Sequence, residues 1–113
     1  MKQTVYLLCG TMKDMRIEEA KGEIIELTNN KGYTTRIALL CKRPYWYATH
    51  YETGLDCTPS KPGKYGFAEK TWRKQELIEA LKEIDFERLL KPEYINKFKA
   101  KIEEYKTKGV NPQ

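Results

Sequence analysis

No run of apolar side chains in this chain is longer than five residues; the two longest are Val5–Cys9 and Ile37–Cys41. A membrane-spanning helix needs roughly 18 or more. The chain is therefore expected to stay out of the bilayer and to bury one side of each element, with strands alternating and helices striped. A secretory leader needs a basic start followed by an apolar stretch of about 7–15 residues, and only the five from Val5 follow Lys2. A length of 113 residues predicts one domain over 1–113. Thirteen aromatic side chains, with only 7 Gly and 5 Pro, speak against disorder and low complexity.

The cysteines narrow the setting. Cys9, Cys41 and Cys57 are odd in number and widely spaced, so they cannot form a complete disulfide framework. A reducing, cytoplasmic compartment is expected. Each lies at or beside an apolar stretch, where a thiol usually serves as a small buried hydrophobe.

Charge is distributed unevenly. Residues 1–30 have a net charge of −1 and residues 75–113 are neutral, whereas residues 31–74 hold nine basic and three acidic side chains, net +6. The same middle segment carries eight of the thirteen aromatics, namely Tyr33, Tyr45, Trp46, Tyr47, Tyr51, Tyr65, Phe67 and Trp72. This overlap of cations with rings is the one compositional anomaly of the chain.

Thr4–Cys9 reads as a first strand. Ile17, Ala20, Ile24 and Leu27 recur at helical spacing with Glu18, Glu19, Glu23 and Glu26 off the stripe, which favours a helix ended by Asn29-Asn30-Lys31-Gly32. The competing reading is a hairpin folded at Lys21-Gly22. Tyr33–Cys41 and Tyr45–Tyr51 read as a hairpin turned by Lys42-Arg43-Pro44. Alternation then puts Tyr45, Tyr47, Thr49 and Tyr51 on one face and Trp46, Ala48 and His50 on the other. Glu52-Thr53-Gly54 makes a further turn, and Thr58–Lys64 a loop. Thr71 is placed as the cap of a helix carrying Leu77, Ile78, Leu81 and Ile84, with Trp72 folding back on the loop before it. Asp85–Leu90 reads as a short turn or half-helix. Pro92 opens a last helix with a seam of Ile95, Phe98, Ile102 and Tyr105, stopped at Gly109, and Val110–Gln113 is expected to fray. The sum is α+β: a small antiparallel sheet of about three to four strands with helices packed on one face. Residues 1–70 are mostly sheet with one helix, and 71–109 are helical.

Catalytic parts are scarce. His50 and Ser60 are the only histidine and serine, and Ser60 sits in a Pro/Gly loop rather than on a strand-to-helix elbow. Cys41 or Cys57 with His50 would make a nucleophile pair only with a lowered thiol pKa, for which nothing nearby argues beyond general basic charge. Three cysteines and a histidine match a zinc stoichiometry, but not the close ligand pairs zinc sites use. Glu19-Ala20-Lys21 and Glu104-Tyr105-Lys106 have a nuclease-like spacing that Lys/Glu-rich helices produce by chance. Glycines are scattered, so no phosphate-cradling loop is expected. The chain is therefore expected to be a non-enzymatic binding protein with no cofactor and no metal. On this view His50 is structural.

The candidate binding residues are Arg36, Lys42, Arg43, Lys61, Lys64, Arg73 and Lys74 to hold phosphates, and Tyr45, Tyr47 and Tyr51 to stack bases. The expected partner is nucleic acid or a nucleoprotein. The alternative is a protein–protein adaptor or inhibitor of the compact kind that mobile genetic elements encode, acting by covering a partner's surface.

Overall fold

The structure is a computed structural model and describes residues 2–10, 14–62, 68–69 and 71–108. Strands β1 (Lys2–Cys9), β2 (Arg16–Thr28), β3 (Thr34–Lys42) and β4 (Tyr45–His50) form one antiparallel sheet in that order. A two-residue ladder follows, β5 (Lys61–Pro62) with β6 (Ala68–Glu69). Helices α1 (Lys74–Leu81), α2 (Phe86–Leu89) and α3 (Pro92–Lys108) complete the described elements. Fold class and helical C-terminal part are as the sequence predicts.

The segment read as a first helix is strand β2, and it is not folded into a hairpin at Lys21-Gly22 either. Its first half pairs with β1, from Cys9↔Arg16 to Lys2↔Glu23, and its second half with β3, from Glu23↔Leu39 to Thr28↔Thr34. In this register the supposed helical stripe divides, with Ile17 and Leu27 on one sheet face and Ala20 and Ile24 on the other. The acids that seemed to form a solvated helix face are taken up by neighbouring elements. Glu19 accepts from Tyr105 Oη (3.1 Å) and Glu23 from Lys74 Nζ (2.6 Å). Gly22 is buried where β1 and β3 both press on β2: a Cβ there would lie 3.0 Å from Leu39 O and 3.2 Å from Val5 Cγ2.

Asn29–Gly32 does end the element, as the tip of the β2–β3 hairpin. Buried Asn29 Oδ1 accepts from the N–H groups of Lys31 (3.0 Å) and Tyr33 (2.9 Å), while its Nδ2 donates to Ile84 O at 2.9 Å. One side chain thus closes the turn and ties it to the chain after α1.

All three helices lie on one face of the sheet. Leu27, Ile37, Leu39 and Ala48 from the strands meet Leu77 and Leu81 of α1, Phe86 of α2 and Leu90. Each of these Leu, Ile and Phe side chains contributes about 1.5–3 kcal/mol by leaving water. Further along, α3 buries Phe98 and Ile102, and Tyr105 meets Tyr6 edge-on at 5.9 Å. On the other face the sheet curls. Leu8 N–H donates to Gly54 O at 3.0 Å, which joins β1 to the turn after β4. Gly54 has φ +72, and a Cβ there would lie 2.6 Å from Tyr6 O, so the close approach needs glycine. Val5, Ala38 and Leu40 are buried inside the curl.

Helix α1 does not start at a Thr71 cap. Trp46 N–H donates to Trp72 O at 2.9 Å in an isolated bridge between β4 and residue 72. That extended backbone delays the helix until after Arg73, whose side chain makes no cap hydrogen bond. Ile84 falls beyond α1 but still packs against the core. α3 opens at Pro92 as expected, while Gly109 and the tail Val110–Gln113 lie outside the described residues. Among those described, no helix is long and apolar enough to cross a membrane.

Candidate nucleic-acid interface

The predicted binding residues fall into two groups at opposite ends of the sheet. Lys42 pairs with Tyr45 across the two-residue turn Arg43-Pro44, so Lys42, Arg43 and Tyr45 cluster at the β3–β4 tip. The Trp46↔Trp72 bridge brings Arg73 and Lys74 beside them. Lys74 Nζ lies 5.2 Å from the Trp46 ring centroid, and Lys61 Nζ lies 4.8 Å from that of Trp72. Trp72 folds back as expected, its Nε1–H donating to Pro59 O at 2.6 Å. Arg36 is six residues up β3 from Lys42, about 20 Å away. It lies 5.0 Å over the Tyr51 ring and pairs with Glu52 at 3.3 Å.

Tyr51 lies in the turn beyond the end of β4 and does not extend the row of Tyr45 and Tyr47. Its ring lines a hollow of about 250 Å³ with Tyr6, Lys99 and Lys106. Tyr47 instead lines a separate hollow of about 280 Å³ inside the curl, with Leu7, Leu40 and Thr49, and carries Lys42 Nζ 5.7 Å from its ring centroid. Lys64 lies outside the described residues, as do Tyr65 and Phe67.

Electrostatics divides the hairpin-end cations further. Lys74 Nζ bonds Glu23 at 2.6 Å, and this holds the Glu23 carboxyl below its usual range. Lys61 Nζ is 3.7 Å from Glu76. Among the described residues, Lys42, Arg43 and Arg73 form no salt bridge, and both Arg43 and Arg73 are exposed. Tyr45 is one of the few large rings left exposed. The end therefore presents exposed Arg43 and Arg73 with no salt bridge, Lys42 within the field of Glu18, two cations that pair with an acid, an exposed Tyr45 and a half-buried Tyr47. The sequence reading left out Trp46 and Trp72, which anchor Lys74 and Lys61; their signal was a lone Trp on each side of the Pro/Gly loop.

Several of the residues considered for catalysis are engaged elsewhere. His50 is buried, with Nδ1 2.8 Å from Thr53 Oγ1 and Nε2 2.9 Å from Thr35 Oγ1. Burial holds its pKa below the usual value. Burial, aided by Asp56, pushes the Cys57 thiol up to about 12. Cys41 is exposed rather than buried, because it lies near the open end of β3 beside the turn. Glu19-Ala20-Lys21 lies on a strand, not a helix; Glu19 accepts from Tyr105 and Lys21 Nζ donates to Thr4 Oγ1 at 2.6 Å. Among the described residues, no three His, Cys, Asp or Glu side chains gather as a metal-ligand set.

No protein family, curated protein or solved structure matches the chain.

Proposed function

We propose that this chain is a small non-enzymatic protein that binds nucleic acid, alone or within a nucleoprotein, through the β3–β4 hairpin end. The observation that carries this reading is the meeting of Lys42, Arg43 and Tyr45 with Arg73 and Lys74 through the Trp46↔Trp72 bridge. Lys42, Arg43 and Arg73 hold phosphates, Lys61 and Lys74 add to the field, and Tyr45 and Tyr47 offer rings to unpaired bases. Arg36 and Tyr51 are too distant to share one short contact with that end. A cytoplasmic setting goes with this reading and is supported by the three free thiols.

The test is binding to labelled single- and double-stranded oligonucleotides by the wild type, a Lys42→Ala/Arg43→Ala/Arg73→Ala variant and an Arg36→Gln variant. The triple variant is expected to lose most of the affinity while Arg36→Gln keeps it. Equal binding by all three refutes the assignment. Absence of binding by the wild type refutes the function.

A further inference from the structure

The hollow inside the curl shares two residues with the hairpin end. Its lining of about 280 Å³ includes Lys42 and Tyr47 together with Leu7, Leu40, Thr49 and Asp56. Small-molecule sites run to about 300–1,000 Å³, so this one has room for a single ring system. A row of side chains on one face of β4 leads into it from solvent. Tyr45 is 38% exposed, Tyr47 is half-buried and Thr49 is 4% exposed.

Thr49 is the polar point at the buried end of that row. Among the described residues, its Oγ1 has no hydrogen-bond partner. No sealed side-chain nitrogen or oxygen among them is left in that condition. Oγ1 is therefore open to the hollow, the space that Thr49 borders, and buried hydroxyls of this kind are normally hydrogen-bonded. The walls are apolar at Leu7 and Leu40, and the one cation, Lys42, is matched by one acid, Asp56. Such a lining suits a flat, neutral group with a polar edge and not a phosphate.

We propose that the hollow takes one unpaired base of a single-stranded nucleic acid. Tyr47 lies against the base, Leu7 and Leu40 enclose it, and Thr49 Oγ1 bonds its polar edge. This rests on the reading of the hairpin end as a phosphate-holding surface and adds what that surface selects. A hydroxyl both donates and accepts, so it serves any base, and the selection is for an unpaired base and not for a sequence. Lys42 Nζ lies 5.7 Å from the Tyr47 ring centroid, near the outer limit of a cation–π contact. Held that loosely, it can turn to the phosphate of the same nucleotide and keep the backbone outside beside Arg43.

The experiment is fluorescence anisotropy of the full chain with two labelled strands of equal length and charge, one single-stranded DNA and one made of abasic sites. The proteins are wild type, Thr49→Phe, whose ring stands where the base would go, and Thr49→Val, which removes the hydroxyl and little volume. Circular dichroism establishes that each variant is folded. Wild type is expected to bind the DNA about 5- to 150-fold more tightly than the abasic strand, the worth of one stacked base. Thr49→Phe is expected to lose most of that preference and keep its affinity for the abasic strand. Thr49→Val is expected to weaken DNA binding about two- to ten-fold. A wild type that binds both strands equally overturns the proposal and leaves the phosphate-holding surface standing. A folded Thr49→Phe with the full preference also overturns it. So does Thr49→Val with unchanged affinity for DNA, which decides the case if Thr49→Phe does not fold. Binding of neither strand at low salt refutes the hairpin-end reading itself, and the proposal with it.

Discussion

Replacing Gly22 with alanine separates the strand seen at residues 16–28 from the helix that their spacing suggests, because the two conformations give opposite signs. In a helix, Gly→Ala stabilises by about 0.8–1.0 kcal/mol. In β2 the new methyl would meet Leu39 O and Leu40 Cδ2 at 3.0 Å and Val5 Cγ2 at 3.2 Å, where ordinary contact begins at 3.4 Å. Two neighbours must therefore yield by about 0.4 Å in a close-packed interior. One of them is a backbone carbonyl in a paired strand and has little room to move. Overpacking of this kind costs about 1–3 kcal/mol, offset by about 0.4–1 kcal/mol from the stiffer unfolded chain. Gly22→Ala is thus expected to destabilise by roughly 1–2 kcal/mol. Urea denaturation measures it as a lower midpoint at unchanged slope. A midpoint equal to or above wild type would refute the convergence of β1 and β3 on Gly22.

Two further predictions rest on buried groups. Burial lowers the His50 pKa from its usual 6.5, so the folded state prefers the neutral ring; that stability is complete above pH 6.5 and is lost as the pH falls through 6.5 and then through the lower folded value. His50 is the only histidine, so one NMR titration reads it, and a folded-state midpoint at or above 6.5 contradicts the buried threonine-bonded ring. Among the cysteines, exposed Cys41 is expected to react first with an alkylating reagent near about pH 8, whereas Cys57 reacts only with unfolding; equal rates by mass spectrometry contradict the core position of Cys57.

Much of the architecture was legible because local chemistry and tertiary setting agree. Tyr33–Cys41 is rich in β-branched residues, Arg43-Pro44 turns the chain, and Pro92 with the seam of Ile95, Phe98 and Ile102 makes an amphipathic helix. Residues 16–28 misled because Glu, Ala and Lys favour a helix, while the decisive contacts come from distant elements: β1, β3, Lys74 and Tyr105. Thr71 misled because Trp72 spends its backbone carbonyl on Trp46, a bridge no local pattern announces. The candidate site was legible as composition and not as geometry. Spacing groups Arg36 with Lys42, but extended β3 holds them apart. It also hides Glu23 and Glu76, which come from other elements to share the charge of Lys74 and Lys61.

The most direct test of the central claim is fluorescence anisotropy of a labelled single-stranded oligonucleotide titrated with the wild-type chain over a salt series. Three to four phosphates held at the hairpin end predict that the logarithm of the binding constant falls linearly with that of salt, with a slope of roughly −2 to −3. Binding that ignores salt, or no binding at the lowest salt, would contradict a phosphate-holding surface at Lys42, Arg43 and Arg73.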